Sequence, residues 1–187
     1  MTDSLPGETG TIRVIVYDPN WPILYLAERT KLLAATTPGF VELEHVGSTA
    51  VPGLSAKPII DMMAAVVNLR EGVSLIPRLE TLGYHHIENG MPGRLFLRKR
   101  VPGTEITYHL HIVEQATWNE RNERLLRDYL LAHPQAAQAY GELKQCLAVE
   151  YAHDGLAYTK AKTAFIQSIM DQARDERGLP RINVWEE

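Results

Sequence analysis

Between Glu44 and Asp61 the chain reads Glu-His-Val-Gly-Ser-Thr-Ala-Val-Pro-Gly-Leu-Ser-Ala-Lys-Pro-Ile-Ile-Asp, a set of residue types suited to holding a phosphorylated ligand. Gly47 permits close backbone approach, so free amides can face an anion. Ser48 and Thr49 add hydroxyl donors, and Lys57 adds a mobile positive charge. Asp61 is a lone carboxylate among Ile59, Ile60, Met62 and Met63. Such a charge is costly to bury unless it is paired, hydrogen-bonded or on a metal. The plainer alternative is that Gly47 and Gly53 make turns and Asp61 caps neighbouring backbone.

A second set lies between residues 94 and 113. If Val101 to Thr104 is a four-residue hairpin loop, Arg100 faces Glu105, Arg98 faces Thr107, Phe96 faces His109 and Arg94 faces His111. One sheet face then carries Arg94, Arg98, Arg100, Glu105, Thr107, His109 and His111. Leu95, Leu97, Tyr108, Leu110 and Ile112 form the core face. Histidines at i and i+2 on one strand face can share a metal or contact a phosphate, although a hydrogen-bonded surface pair is the commoner outcome. His85 and His86 would point to opposite faces and read as structural. A third candidate is Lys162, which falls inside the helical stripe Tyr158, Phe165, Ile169 and Ala173. Lysines avoid such stripes unless the ammonium snorkels out or meets an anion.

The elements that must position these residues are legible from periodicity. Ile12 to Val16 reads as a short strand or extended entry, Trp21 to Ala35 as a helix with Pro22 in its first turn, and Val41 to Val46 as a half-buried strand. Pro58 to Val67 reads as a strand covered on both faces, and a helix spans about 69–82 before Gly83. Strands near 94–100 and 105–113 precede a helical C-terminal third that breaks at His133-Pro134 and near Asp154-Gly155. The helices over 119–153 read as ordinary core packing. The predicted fold class is α/β (α+β), a small mixed sheet with packed helices. A single domain is expected over 12–174, with loose tails at 1–11 and 175–187.

With 187 residues, 45% hydrophobic and 22% charged, the chain can bury a core. A net charge of −4 argues against non-specific nucleic-acid binding, which needs an excess of Lys and Arg. The single cysteine, Cys146, excludes an intramolecular disulfide and points to a reducing, cytoplasmic setting; it reads as a small buried residue on a helix. Met1 to Thr11 lacks the basic start and apolar run of a signal peptide, and no stretch approaches the ~20 apolar residues of a membrane span.

Glu44 to Asp61 resembles the signature of the GrpB family. Val16-Tyr-Asp-Pro-Asn-Trp-Pro22, Tyr108-His-Leu-His-Ile-Val113, Arg127-Asp-Tyr-Leu130 with His133-Pro134, and Ala157-Tyr-Thr-Lys-Ala-Lys162 resemble that family's recurring blocks in order, so the resemblance covers about residues 12–172. It implies a nucleotidyltransferase-like fold, with Gly47-Ser48 and Asp61 at the places of that superfamily's Gly-Ser turn and first strand carboxylate. The family also occurs joined to dephospho-CoA kinase. One departure stands out: the second carboxylate expected two residues after the first is Met63.

Two functions follow as expectations. The first is a metal-dependent nucleotidyltransferase-like enzyme binding a nucleoside triphosphate. Gly47, Ser48, Thr49, Lys57, Arg98 and Lys162 would hold the nucleotide, with Ser48 and Asp61 at the reacting centre. Asp61, His109 and His111 would hold Mg2+, Mn2+ or a transition metal. The second is a non-catalytic module for a nucleotide or phosphometabolite that has lost transfer chemistry, the reading Met63 favours.

Overall fold

The apolar runs pair into one five-stranded mixed sheet of order β1-β2-β5-β4-β3, seen in a computed structural model that describes residues 11–88 and 90–184. The strands are β1 Glu42–Val46, β2 Ile59–Val66, β3 His85–His86, β4 Arg94–Arg100 and β5 Thr107–Glu114. Only the central β2–β5 pair is parallel. The strand expected at 12–16 is reduced to one bridge, Ile15 with Ala56.

Alternation along β2 sorts its side chains between two layers. Ile60, Met62, Ala64 and Val66 join Leu97, Leu110 and Ile112 beneath two helices, α1 Trp21–Thr36 and α2 Leu69–Glu80. Trp21, Leu32, Leu75 and Leu79 close this core, each such side chain stabilising by roughly 1.5–3 kcal/mol. Asn68 starts α2 by accepting the Glu71 amide, and Gly83, at φ +87°, takes up the left-handed turn beyond the helix. Glu28 is buried within this layer, where its carboxylate accepts from the Tyr84 hydroxyl at 3.1 Å and from Lys99 at 2.6 Å.

The opposite face carries Val46, Met63, Ala65 and Val113 packed with Trp118. Beyond it lie α3 Asn122–Ala132, α4 Pro134–Glu150, α5 Gly155–Ala161 and α6 Thr163–Glu176, with the expected breaks at 133–134 and 154–155. The helix expected to run unbroken through Lys162 is divided there, because Lys162 is the junction between α5 and α6. Cys146 is exposed, not buried, since α4 turns Lys144, Leu147 and Ala148 inward instead. The expected loose tail at 175–187 differs as far as 184, and 185–187 lie outside the described residues. α6 runs on to Glu176, and the segment after it folds back, with Gln167 donating to the Ile182 carbonyl and accepting from the Val184 amide. The tail at 1–11 falls, but for Thr11, outside the described residues. Among the described residues, no helix is long and apolar enough to cross a membrane.

Candidate functional site

β1 ends at Val46, and the chain turns at Gly47 with φ 70° and ψ −170° before the short 3-10 turn Ser48–Ala50. That conformation is open to glycine and to almost nothing else. Space forbids a side chain as well, for a Cβ on Gly47 would stand 2.6 Å from Asp61 Oδ2. Pairing brings the two together: Val46 lies opposite Asp61 in the antiparallel ladder. On its other side Asp61 neighbours His109 of β5, and Asp61 Oδ1 is 3.1 Å from His109 Nδ1. Burial pushes the Asp61 carboxyl upward, but the hydrogen bond with His109 holds it below the usual range. Asp61 is therefore an ionised acceptor at neutral pH.

Ser48 is half-buried, and its hydroxyl makes no hydrogen bond among the described residues. Thr49 differs. It is buried, and its hydroxyl donates to the Ile59 carbonyl at 2.8 Å, with His45 Nε2 at 2.9 Å from the same oxygen. Its single proton goes to Ile59, so His45 must donate from Nε2. Burial drives the His45 pKa down to about 4, which keeps the ring neutral as it stacks on Tyr25 at 4.8 Å. The Thr49 hydroxyl thus closes the loop and does not face a ligand.

The hairpin register is two residues away from the expected one. Arg100 pairs with Thr107, Arg98 with His109, Phe96 with His111 and Arg94 with Val113. The connection spans 101–106: the Val101 amide bonds the Ile106 carbonyl, and the Thr104 hydroxyl accepts the Ile106 amide. Glu105 is released from the strand and pairs with Arg13 at 2.6 Å. A slip of two preserves parity, so Arg98, His109 and His111 still share one face. Phe96 shares it too, its ring centroid 5.0 Å from both imidazoles. His111 lies deeper. Burial lowers its pKa, and its Nδ1 is enclosed without a hydrogen-bond partner.

The C-terminal helices add a residue that the sequence reading passed over. Lys144 of α4 is 3% exposed, its Nζ has no hydrogen-bond partner, and it lies 4.5 Å from the Tyr140 ring centroid. Burial and the charge of Lys162 pull its pKa down to about 7, while Asp61 pulls the other way. Lys162 sits over the Tyr158 ring at 4.3 Å, and Lys57 approaches the same ring at 5.7 Å. The signal was available, since Tyr140, Leu147 and Ala148 surround Lys144 at helical spacing as apolar residues surround Lys162.

Metal chemistry is limited by the donor set. Met63 is fully buried with Val46, Ala65, Val113 and Trp118. The nearest carboxylate in its row, Glu44, is held by Arg124 at 3.0 Å and Arg127 at 2.7 Å. Asp61 and His109 bond to each other, and His111 is one pleat further along. Among the described residues, no three His, Cys, Asp or Glu side chains are grouped to hold a metal. These residues do not fit a two-ion centre: beside the Gly47 turn stands Asp61, and the neighbouring Glu44 is taken up by two arginines.

The GrpB protein family matches this chain over residues 11–172. A UPF0157 protein of Pseudomonas aeruginosa is 38% identical over 87% of this chain and 67% of its own length, and one of Bacillus subtilis is 31% identical over 87% and 47%. The crystal structure of conserved protein GrpB from Enterococcus faecalis aligns with TM-score 0.80 and 32% identity, covering 89% of this chain and 99% of that one. A partial match, 32% identical over 42% of this chain and 20% of the relative, is to a dephospho-CoA kinase of Mycolicibacterium paratuberculosis. With its mixed sheet, its Gly47-Asp61 turn and a match over most of its length, the chain belongs to the GrpB family.

Proposed function

We propose that this protein is a nucleotidyltransferase-like enzyme of the cytoplasm that binds a nucleoside triphosphate between Gly47-Ser48 and the C-terminal helices. The observation that carries this reading is Lys144, a buried ammonium without a partner, in the electrostatic range of both Lys162 and Asp61. A buried cation in a polar cluster implies a counter-charge, and a ligand phosphate supplies one. Lys57 and Lys162 approach the same ring, Tyr158, the Ser48 hydroxyl is available as a donor, and the Gly47 turn leaves room for close approach. Magnesium would be held by Asp61 together with the phosphate oxygens, the mode natural to a site with one carboxylate, and would neutralise charge on the triphosphate. The lone Cys146 supports the reducing compartment.

Met63 favours a second reading, a binding module for a nucleotide or phosphometabolite without transfer chemistry. Dephospho-CoA is one candidate, suggested by the partial match to a kinase of that name. Calorimetric titration with ATP and Mg2+ tests binding: Lys162→Met and Lys144→Met should each weaken ATP at least several-fold in a folded protein. Unchanged affinity in both variants would overturn the site. Pyrophosphate release above background separates the enzyme from the module.

A further inference from the structure

A cavity of about 430 Å³ opens between α4 and the loop that follows the Ser48–Ala50 turn, with Val51, Leu130, Gln138, Gly141, Glu142 and Gln145 among its lining residues. Its volume falls inside the usual range for small-molecule sites, about 300–1,000 Å³. Val51 and Leu130 are buried and give it an apolar floor, and among the described residues no Lys, Arg or His lines it. Gly141 keeps it open. A Cβ there would stand 3.4 Å from Leu54 Cδ1, so a larger side chain would fill the gap between helix and loop.

The polar side chains of the rim turn hydrogens toward the wall. Gln138 Nε2 donates to Glu142 Oε1 at 2.9 Å, and Gln145 Nε2 donates to the Ser55 hydroxyl oxygen at 3.1 Å. Among the described residues, no donor reaches the carbonyl oxygen of either glutamine or Glu142 Oε2. Each amide keeps a second hydrogen, but the carboxylate only accepts, so acceptors outnumber donors at the rim. A rim of acceptors without a cation disfavours phosphate and favours a ligand that brings N–H groups on an apolar body. The cavity also begins one turn from Ser48. The Val51 amide donates to the Ser48 carbonyl at 3.2 Å, and three residues of 3-10 turn advance about 6 Å. That span is comparable to the separation of phosphate and base within one nucleotide.

We infer that this cavity seats the base of the nucleotide and that Gln138, Glu142 and Gln145 select a base with an exocyclic amino group, as in adenine. The inference rests on the nucleotide reading above. Val51 and Leu130 lie against the ring, and the acceptor oxygens take the amino hydrogens. Adenine shows an amino donor where a keto purine shows a carbonyl oxygen. Opposite Glu142 that carbonyl would set two acceptors against each other and leave both desolvated without a hydrogen. Discrimination comes from this mismatch as much as from the amino contact.

The test compares ATP, inosine triphosphate and inorganic tripolyphosphate, each with Mg2+, by calorimetry on the full chain. Inosine triphosphate carries a carbonyl in place of the adenine amino group, and tripolyphosphate carries no base. ATP should bind at least tenfold more tightly than either. Glu142→Gln, at an exposed position, supplies a donor to the carbonyl. It should narrow the preference for ATP over inosine triphosphate to threefold or less and leave tripolyphosphate affinity unchanged. Gln138→Leu, also exposed, should narrow the same preference should the Glu142 variant fail to fold. Equal affinity for ATP and inosine triphosphate, or a preference that survives both substitutions, would overturn the inference. Tripolyphosphate binding as tightly as ATP would overturn it too, while leaving the phosphate site intact. If neither ATP nor tripolyphosphate binds, the nucleotide reading falls and adenosine decides the cavity. Adenosine that shifts the Gln138 and Gln145 side-chain amide signals in NMR sustains it, and unmoved signals end it.

Discussion

Gly47 and Asp61 meet so closely that the strand-end turn and the carboxylate form one unit, with 2.6 Å between Asp61 Oδ2 and the place a Cβ would occupy on Gly47. The contact joins the end of β1 to the middle of the sheet. A phosphate lying on the turn amides would therefore lie beside an ionised carboxylate, a repulsive arrangement unless cations intervene. Lys144 feels the charge of Asp61 and of Lys162, and Lys162 and Lys57 approach the Tyr158 ring.

Gly47→Ala meets both the forbidden dihedral and the Asp61 carboxylate. Strain of this kind costs about 1–3 kcal/mol. Urea denaturation should show a loss in that range, and ATP binding should weaken because Asp61 must move to admit the methyl group. A variant as stable as the parent would mean that the turn relaxes to another conformation.

Asp61→Asn should change the acid limb of stability. The folded carboxyl titrates below its unfolded value of about 4, so its ionised form contributes stability above that pH and loses it as pH falls through the lower folded value. The stability difference between the parent and Asp61→Asn should narrow as pH falls from about 5 through the unfolded value to below the lower folded one. An equal difference at both ends would show that the His109 contact is energetically neutral.

Lys144→Met removes a charge that folding disfavours. Its pKa falls from the ordinary lysine range, about 10.4, to about 7. Above the unfolded value the lysine is neutral in both states and carries no penalty; the penalty grows as pH falls toward 7 and is constant below. The methionine variant should therefore gain stability on the parent as pH is lowered from about 10 to 7, read by thermal melting. ATP affinity of the parent should decline above pH 7, since a phosphate requires the protonated amine, and the variant should lack that dependence.

Glu28→Ala should be the most damaging of these substitutions, although it lies on the far face of the sheet. It leaves the Tyr84 hydroxyl and the Lys99 ammonium without their carboxylate in the core under α1 and α2. Removing one partner of a buried pair costs about 3–5 kcal/mol. Chemical denaturation should report a loss near that range, and a loss under 1 kcal/mol would mean that water reaches the two orphaned groups.

Local pattern determined a great deal of this protein. The alternation of Val41 to Val46, the apolar run after Pro58 and the breaks at Pro134 and Gly155 placed β1, β2 and the C-terminal helices within a few residues. Gly47 and Asp61 stood out because a glycine before hydroxyl residues and a carboxylate among isoleucines and methionines each conflict with their surroundings. Parity put Arg98, His109 and His111 on one face for the same reason, since side-chain alternation survives any slip of two residues.

Tertiary structure decided what depends on distance between elements. The hairpin register followed from the Val101–Ile106 closure and the Thr104 hydroxyl, a loop geometry that alternation does not encode. That Thr49 turns inward, that Glu44 is gathered by two arginines of α3, and that Asp61 takes His109 from a strand 48 residues away all depend on pairing across the sheet. Lys144 shows the division most clearly. Helical spacing makes it an intruder in an apolar stripe, but only the packing of α4 makes it a buried amine without a partner that feels the charges of Lys162 and Asp61. Periodicity is a property of neighbours along the chain, and a site is a property of charges brought together across it.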